Sequence, residues 1–178
     1  MSITELAPAK LNLTLDVGAR RPDGYHEITS VMQSAALYDV VTLKAVETDD
    51  IVVECPGTDL PTGPDNLAWK AADVFFQETN IPRTGIFIRL EKKIPSQAGL
   101  GGGSSDAAAV LRGMRRLFSA NVSDEALEAM AARVGSDVPY CVRGGTALAR
   151  GRGERLTALS PLPMCWFVIV KPPVAHST

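Results

Sequence analysis

Four glycines fall within the five residues 99–103, and two serines, Ser104 and Ser105, follow them directly. A segment with so few side chains adds nothing to a hydrophobic core, but its backbone approaches a ligand closely and adopts positive φ angles. The alanine-rich pattern over 107–118 predicts a helix behind it, with free N–H groups pointing back into the loop. The sequence therefore predicts a backbone cradle for an anion at this point of the chain.

The spacing of this loop excludes two common nucleotide-binding motifs. A Walker A loop needs Gly-Lys followed by Ser or Thr, whereas Gly103 is followed directly by Ser104. The dinucleotide motif needs Gly-x-Gly-x-x-Gly, and Gly99, Gly101 and Ser104 break that spacing. A flexible loop without a ligand is the alternative, although such loops seldom lead straight into a well-formed helix.

Hydrophobic periodicity elsewhere predicts a mixture of strands and helices. Leu13, Leu15 and Val17 alternate with polar residues and predict a half-buried strand. Ser123 has the residue type of a helix N-cap, and Gly135 is suited to end that helix. The other predicted elements are strands over 25–45, 51–55, 86–90 and 144–149, and helices starting near residues 64, 107 and 139.

Residues 164–170 form a continuous apolar run, which is the pattern of a strand buried on both faces. Such a strand needs neighbours, and the sequence ends soon after it. We therefore expect residues 1–158 to form one domain and residues 159–178 to begin a second domain that is otherwise absent. The alternative is that the strand extends the edge of the main sheet. The unpaired strand also predicts a homodimer in which two copies pair.

The overall composition argues against several classes of partner. The 178 residues carry a formal net charge of −2, so no global basic field attracts nucleic acid or a membrane surface. No apolar run approaches the roughly 20 residues of a membrane span. Cys55, Cys141 and Cys165 lack metal-type spacing, and the first residues lack the pattern of a signal peptide. We therefore expect a cytoplasmic protein with reduced thiols.

Four residues outside the glycine loop are candidates for catalysis or ligand binding. Lys10 stands at the entrance of an apolar strand, where it can neutralise a phosphate; the alternative is an ordinary solvated lysine. Asp137 follows a helix stop, either as the general base for an attacking alcohol or as the N-cap of the next helix. Tyr25 and His26 follow a tight turn and suit stacking and hydrogen bonding to a flat base, unless Tyr25 simply covers the core.

Four segments together resemble the GHMP kinases, the superfamily of galactokinase, homoserine kinase and mevalonate kinase. They are residues 8–13 (PAKLNL), 20–27 (RRPDGYHE), 95–107 (PSQAGLGGGSSDA) and 135–139 (GSDVP). The first, second and fourth narrow the resemblance to the branch that uses ATP to phosphorylate a cytidyl-diphosphate-linked methylerythritol in non-mevalonate isoprenoid biosynthesis. The resemblance implies an α+β, two-layer fold, of a kind also found in ribosomal and translation-factor domains.

The resemblance also implies a role for each matching residue, with ATP and Mg²⁺ as cofactors and a small molecule as the partner. It implies that Asp137 is the catalytic aspartate and contacts the substrate, that Lys10 is its partner, and that Tyr25 and His26 hold the cytosine. It further implies that Asn12, Ser177 and Thr178 contact the substrate, that Asn66 lies near the adenine, and that either Lys92 or Lys93 lines the nucleotide site. The contacts implied for the ATP phosphates are Pro95, Gly99, Leu100, Gly101, Gly102, Gly103, Ser104 and Ser105. Ser105 is also the implied contact to Mg²⁺.

Members of this family run further than this chain, and the resemblance implies that their continuation carries a second domain. We therefore expect a fragment with weak or absent activity of its own. Two other hypotheses stay open: a different GHMP kinase such as homoserine kinase, and a non-catalytic module that keeps the fold for binding or scaffolding. The Tyr25-His26 pair argues against the first, and the retained Lys10, Asp137 and glycine loop argue against the second.

Overall fold

Within residues 1–171, which the computed structural model describes, the chain forms one seven-stranded sheet and four helices. The strands are β1 (Ser2–Asn12), β2 (Asp16–Arg20), β3 (His26–Val46), β4 (Ile51–Glu54), β5 (Gly85–Glu91), β6 (Thr146–Gly151) and β7 (Arg155–Ala158). The helices are α1 (Leu67–Glu78), α2 (Gly102–Leu117), α3 (Asp124–Val134) and α4 (Val138–Arg143). The predicted α+β class is confirmed.

The 21-residue strand β3 organises the sheet, because four other strands pair with it antiparallel. One of its edges carries β2 and then β1, and the other carries β6 and then β5. The register between β1 and β3 shifts between Pro8 and Ala9. Pro8 has no N–H to donate to the ladder, which fits an irregularity at this point. The shift comes just before Lys10.

Helices α1 and α2 pack together, and α2 also packs against β1 and β3. Alternate residues of β3, such as Val41 and Leu43, are fully buried, as are Ile86 and Ile88 of β5. More than half of the buried residues of α2 are small, namely Ser105, Ala107, Ala108, Ala109 and Gly113, which lets the helix approach the sheet closely. The start of α2 is thereby fixed relative to the sheet.

Gly113 marks the closest approach of α2 to the sheet, and replacing it by alanine is expected to destabilise the fold. A Cβ atom at this position would lie 2.0 Å from Leu43 Cδ1, inside the packed core. We expect Gly113→Ala to lower the free energy of unfolding by about 1–3 kcal/mol in urea titrations, despite the better helix propensity of alanine. Gly103→Ala on the same helix is the matched control, because its Cβ would meet Leu67 Cδ1 at an ordinary 3.7 Å. Equal stability of the two variants would contradict this packing.

The predicted half-buried strand with Leu13, Leu15 and Val17 is wrong in its boundaries and burial. Strand β1 ends at Asn12 and β2 starts at Asp16, so Leu13 lies in the connection between them. Leu13, Leu15 and Val17 are 37%, 51% and 61% exposed. The cause is that β2 is an edge strand that pairs only with β3. Its apolar residues do not pack into the core.

The predicted buried strand over 164–170 is also wrong. The residues from 159 to 171 have no regular secondary structure, and the side chain of Trp166 is 93% exposed. Their apolar pattern lacks partners, because in the described part of the chain the sheet ends with β7. The alternative that this run extends the main sheet therefore fails as well. The domain boundary after residue 158 and the homodimer stay predictions.

Helix ends were predicted well where a local signal determines them. The Ser123 side chain accepts a hydrogen bond from the Ala126 N–H at 3.2 Å, and Gly135 is the C-cap of α3. Helix α2 starts at Gly102, five residues before the predicted 107, so its first turn is made of the loop's own residues. No helix among the described residues is both long enough and apolar enough to span a membrane.

Candidate active site

A cavity of about 610 Å³ opens between the glycine loop, the start of α1 and the strands β1–β3. Most of the predicted nucleotide and catalytic residues line it. They are Lys10, Asn12, Asn66, Lys92, Pro95, Gly99, Leu100, Gly101, Gly102, Gly103, Ser104 and Asp137. Residues that are up to 127 positions apart in the sequence (10 and 137) thus face one space.

The glycine loop enters α2 through Gly101, which is the N-cap and has a φ of 65° in the left-handed region. The Lys10 N–H donates to the Leu100 carbonyl at 2.9 Å, which ties the loop to β1. A Cβ atom on Gly101 would lie 2.6 Å from Lys10 Cγ, so both the backbone angle and the contact require glycine here. The first intrahelical bond runs from the Ser105 N–H to the Gly101 carbonyl. The N–H groups before Ser105 have no partner within the helix, as expected for an anion-binding helix start.

Lys10 and Asp137 meet in the cavity, with Lys10 Nζ 3.1 Å from Asp137 Oδ2. Lys10 is only 6% exposed, so the alternative of a solvated lysine is wrong. Its Nζ also lies 3.4 Å from Asn12 Oδ1. Asp137 occupies the N-cap position of α4, but its side chain makes no capping hydrogen bond. Its carboxylate instead faces Lys10 and the cavity, as a base for an alcohol must.

A buried cluster of three charged residues, Asp39, Lys92 and Asp106, contacts the segments before and after the glycine loop. Lys92 Nζ, just after β5, donates to Asp39 of β3 and to Asp106 of α2. The other Asp39 oxygen accepts from the backbone N–H groups of Lys93 and Ile94, at 2.5 and 2.8 Å. The cluster therefore fixes both ends of the segment that contains the glycine loop. Lys92 lines the cavity and Lys93 does not, which distinguishes the two lysines that the sequence left open.

The charges in this cluster are not balanced. Burial, reinforced by the neighbouring Asp39 carboxylate and opposed by Lys92, raises the pKa of Asp106 to about 7. Burial disfavours the charged form of Lys92, but the two carboxylates outweigh it and raise the pKa of its ammonium group. The Oδ1 atom of Asp106 is buried and has no hydrogen-bond partner among the described residues. The cluster thus contains two carboxyl groups but only one ammonium group.

Asn66 and Ser105 use their side chains within the protein. The Asn66 carboxamide caps α1 by accepting from the Ala68 N–H at 2.9 Å, and it donates to the Pro61 carbonyl at 2.7 Å. The Ser105 hydroxyl is fully buried and donates to the Pro8 carbonyl at 2.7 Å, so it does not face the cavity. This geometry does not support the Mg²⁺ contact implied for Ser105. Among residues 1–171, no group of His, Cys, Asp and Glu is arranged to hold a metal ion.

Neither Tyr25 nor His26 lines the cavity: Tyr25 lies in the exposed turn between β2 and β3, and His26 is the first residue of β3. Tyr25 is 53% exposed, and the alternative that it covers the core is therefore wrong. His26 Nδ1 lies 3.1 Å from the Gly18 carbonyl, which leaves the other ring nitrogen for a ligand. Ser177 and Thr178 lie outside the described residues. The structure thus brings Lys10, Asp137 and the glycine loop together at one cavity, but not Tyr25 and His26.

Sequence reasoning missed Asp39 and Asp106. A signal for Asp39 was present, because it shares the inward-facing register of β3 with Val41 and Leu43. A carboxylate at such a position needs a buried partner. The identity of that partner, Lys92, depends on the pairing of β3 with β5, which a single sequence does not show.

Residues 66–145 match the family described as "GHMP kinases N terminal domain". The chain is 47% identical over all 178 residues to a 4-diphosphocytidyl-2-C-methyl-D-erythritol kinase of Enterococcus faecalis and 46% identical to that of Bacillus subtilis. It spans 62% and 61% of the length of these two relatives.

Solved structures agree with the sequence relatives. A crystal structure of 4-(cytidine 5'-diphospho)-2C-methyl-D-erythritol kinase is 43% identical, with a TM-score of 0.76 over 90% of this chain and 56% of that one. A homoserine kinase from Cytophaga hutchinsonii has a TM-score of 0.71 at 22% identity, over 91% of this chain and 52% of that one, and shows a shared fold alone. The family match, the sheet and these relatives together show that this chain contains the GHMP kinase N-terminal domain.

Proposed function

We propose that this chain forms the ATP-binding and catalytic part of a kinase that phosphorylates the 2-hydroxyl of 4-diphosphocytidyl-2-C-methyl-D-erythritol. The observation that carries the proposal is that the Lys10–Asp137 pair and the glycine loop line one cavity. The relatives that bear this name, at 46–47% identity over the whole chain, support the choice of substrate.

The proposed chemistry uses the groups that line this cavity. The first-turn N–H groups of α2 and the backbone of the glycine loop hold the phosphates of ATP, which supplies the phosphoryl group. The acceptor oxygen forms a bond to the γ-phosphorus as the bond to the β-phosphate oxygen breaks. Asp137 takes the proton of the attacking hydroxyl, and ADP leaves. Lys10 orients the Asp137 carboxylate and places a positive charge beside the developing negative charge.

The reaction is tested by incubating the chain with ATP and one candidate acceptor at a time. We expect phosphorus NMR to show a new phosphomonoester with the diphosphocytidyl compound and none with homoserine, mevalonate or galactose. Enzyme in excess over substrate makes a weak activity measurable. A phosphomonoester formed on one of the other acceptors, and not on the diphosphocytidyl compound, would contradict the proposed substrate. That result would not contradict the proposed ATP site.

Gly101→Ala is expected to weaken ATP binding without disrupting the rest of the fold. The new Cβ would meet Lys10 Cγ at 2.6 Å, and the φ of 65° is unfavourable for alanine. We expect the dissociation constant of a non-hydrolysable ATP analogue, measured by calorimetry, to rise about 10-fold or more, which corresponds to about 1.4 kcal/mol.

Gly99→Ala is the matched control for Gly101→Ala. Gly99 also has a positive φ, of 70°, but a Cβ there would have no neighbour within 4 Å. It therefore reproduces the backbone strain without the collision with Lys10. If the two variants lose the same affinity, the contact between the loop and Lys10 does not shape the site.

A further inference from the structure

Two neighbouring turns carry an aromatic ring and a cation that the proposed chemistry does not use. Tyr25 lies in the turn between β2 and β3, and Arg152 lies in the turn between β6 and β7. The turns are adjacent because β6 pairs with β3, with Ile28 opposite Gly151. Arg152 Cζ lies 5.0 Å from the centre of the Tyr25 ring, within the range of a cation–π contact.

Unlike Arg21 and Arg155 on the neighbouring segments, Arg152 has no acidic partner among the described residues. Arg21 and Arg155 both form ion pairs with Glu27, at 2.7 and 2.6 Å. The nearby Glu154 carboxylate accepts from the backbone N–H of Arg152 at 2.6 Å, and not from its guanidinium group. In the described part of the chain, the Arg152 guanidinium makes no hydrogen bond or ion pair. Its N–H donors are therefore available to an anion while the guanidinium group lies over the ring.

The turn that carries Arg152 abuts the cavity wall next to the catalytic pair. A Cβ atom on Gly153 would lie 3.6 Å from Ile28 Cδ1 and 3.7 Å from Met32 Cε, and both of these side chains line the cavity. It would also lie 3.7 Å from the carbonyl of Ser136, the residue before Asp137. The turn thus contacts both the residue before Asp137 and, through Arg152, the Tyr25 ring.

We infer that Arg152 binds a phosphate of the acceptor substrate and at the same time holds the Tyr25 ring in place for a planar base. The ligand class is a nucleoside diphosphate carrying the acceptor alcohol, so the inference rests on the proposed function. The planar fork of a guanidinium matches two phosphate oxygens, and an aromatic ring offers a face to any base. Arg152 thereby selects acceptors that contain both a base and a diphosphate over simple alcohols.

The test compares ligands that differ only in their phosphates. Cytidine, CMP and CDP are titrated by calorimetry into the unaltered chain and into Arg152→Ala. We expect the affinity for CDP to fall about 10- to 100-fold in the variant, the usual effect of losing hydrogen bonds to a charged group. The affinity for cytidine should fall less, by about 3-fold, because Tyr25 keeps its stacking face and loses only the cation that holds it in place. Arg152→Lys should recover part of the CDP affinity, because it keeps the charge but not the fork.

Arg155→Ala is the control, because it lies next to the same turn but is neutralised by Glu27. It should leave the affinity for CDP within about 2-fold of the original. An unchanged CDP affinity in Arg152→Ala, or equal losses for CDP and cytidine, would overturn the phosphate contact. A chain that binds an ATP analogue but no cytidine compound would contradict both the proposed acceptor and the role of Arg152. CDP binding that depends on Arg152, without binding of the ATP analogue, would support Arg152 and contradict the proposed kinase.

Discussion

Asp137→Asn is expected to lower the rate of phosphoryl transfer by about 10²- to 10⁴-fold, the usual contribution of a general base. The amide keeps the shape of the side chain but cannot accept the proton of the attacking hydroxyl. The pair with Lys10, at 3.1 Å, loses its charge complementarity in the same step. The rate is measured with enzyme in excess over labelled ATP, so that a single slow turnover is visible.

Asp65→Asn is the control for Asp137→Asn. Asp65 is exposed and lines the same cavity, but makes no ion pair in the described structure. We expect its rate to stay within about 3-fold of the original, because neutralising one exposed charge has a small effect. Both variants should keep their affinity for an ATP analogue. An Asp137→Asn rate within about 10-fold of the original would mean that another group accepts the proton.

Lys92→Met is expected to cause the largest loss of stability among these variants, about 3–5 kcal/mol in the free energy of unfolding. The methionine has a similar volume, but it leaves Asp39 and Asp106 facing each other without a counter-charge in a buried site. Removing one partner of a buried ionic cluster costs more than the cluster itself contributes. Urea titrations followed by circular dichroism measure this effect.

The loss of unfolding free energy in Lys92→Met is expected to depend on pH, and the titration of Asp106 determines the direction of that dependence. Its pKa in the folded protein, about 7, is raised above its ordinary value of 3.8. The folded state therefore binds the proton more tightly, and stability from this group falls as the pH rises through 7. Removing the Lys92 ammonium group raises the pKa of Asp106 further, because that group favours the charged carboxylate. The deficit of Lys92→Met relative to the original chain should thus be smaller at pH 5.5 than at pH 8.

Lys93→Met provides the control for this cluster. Lys93 is exposed, and only its backbone N–H contacts Asp39. We expect a change in unfolding free energy within about 0.5 kcal/mol, as for most surface substitutions. A Lys92→Met variant that is as stable as Lys93→Met at pH 8 would show that the buried cluster does not hold the loop.

Features fixed by short-range chemistry could be predicted from the sequence. The strand, glycine loop and helix around residue 100 follow from residue types within about 20 positions, and the structure has all three. Ser123 and Gly135 bound α3 as expected, because a cap depends only on its own turn. The placement of Lys10 beside Asp137 came from the resemblance to a family, since nothing local relates two residues on different elements.

Features that depend on tertiary neighbours could not be predicted. The alternation of Leu13, Leu15 and Val17 predicted a half-buried strand, because hydrophobic periodicity does not show whether the apolar side chains have a core to pack against. The apolar run over 164–170 has the pattern of a central strand, but the described residues provide no strand to pair with it. Asp39 and Lys92 meet only through the pairing of β3 with β5. In each case a single sequence does not show which helix or strand packs or pairs with the segment.

The proposed kinase site is tested most directly by a calorimetric titration of the chain with two ligands, separately and together. They are a non-hydrolysable ATP analogue and 4-diphosphocytidyl-2-C-methyl-D-erythritol. We expect both ligands to bind at once, Gly101→Ala to weaken only the binding of the first, and His26→Ala to weaken only the binding of the second. A folded chain that binds neither ligand, or on which the two compete for one site, would contradict the proposed kinase site.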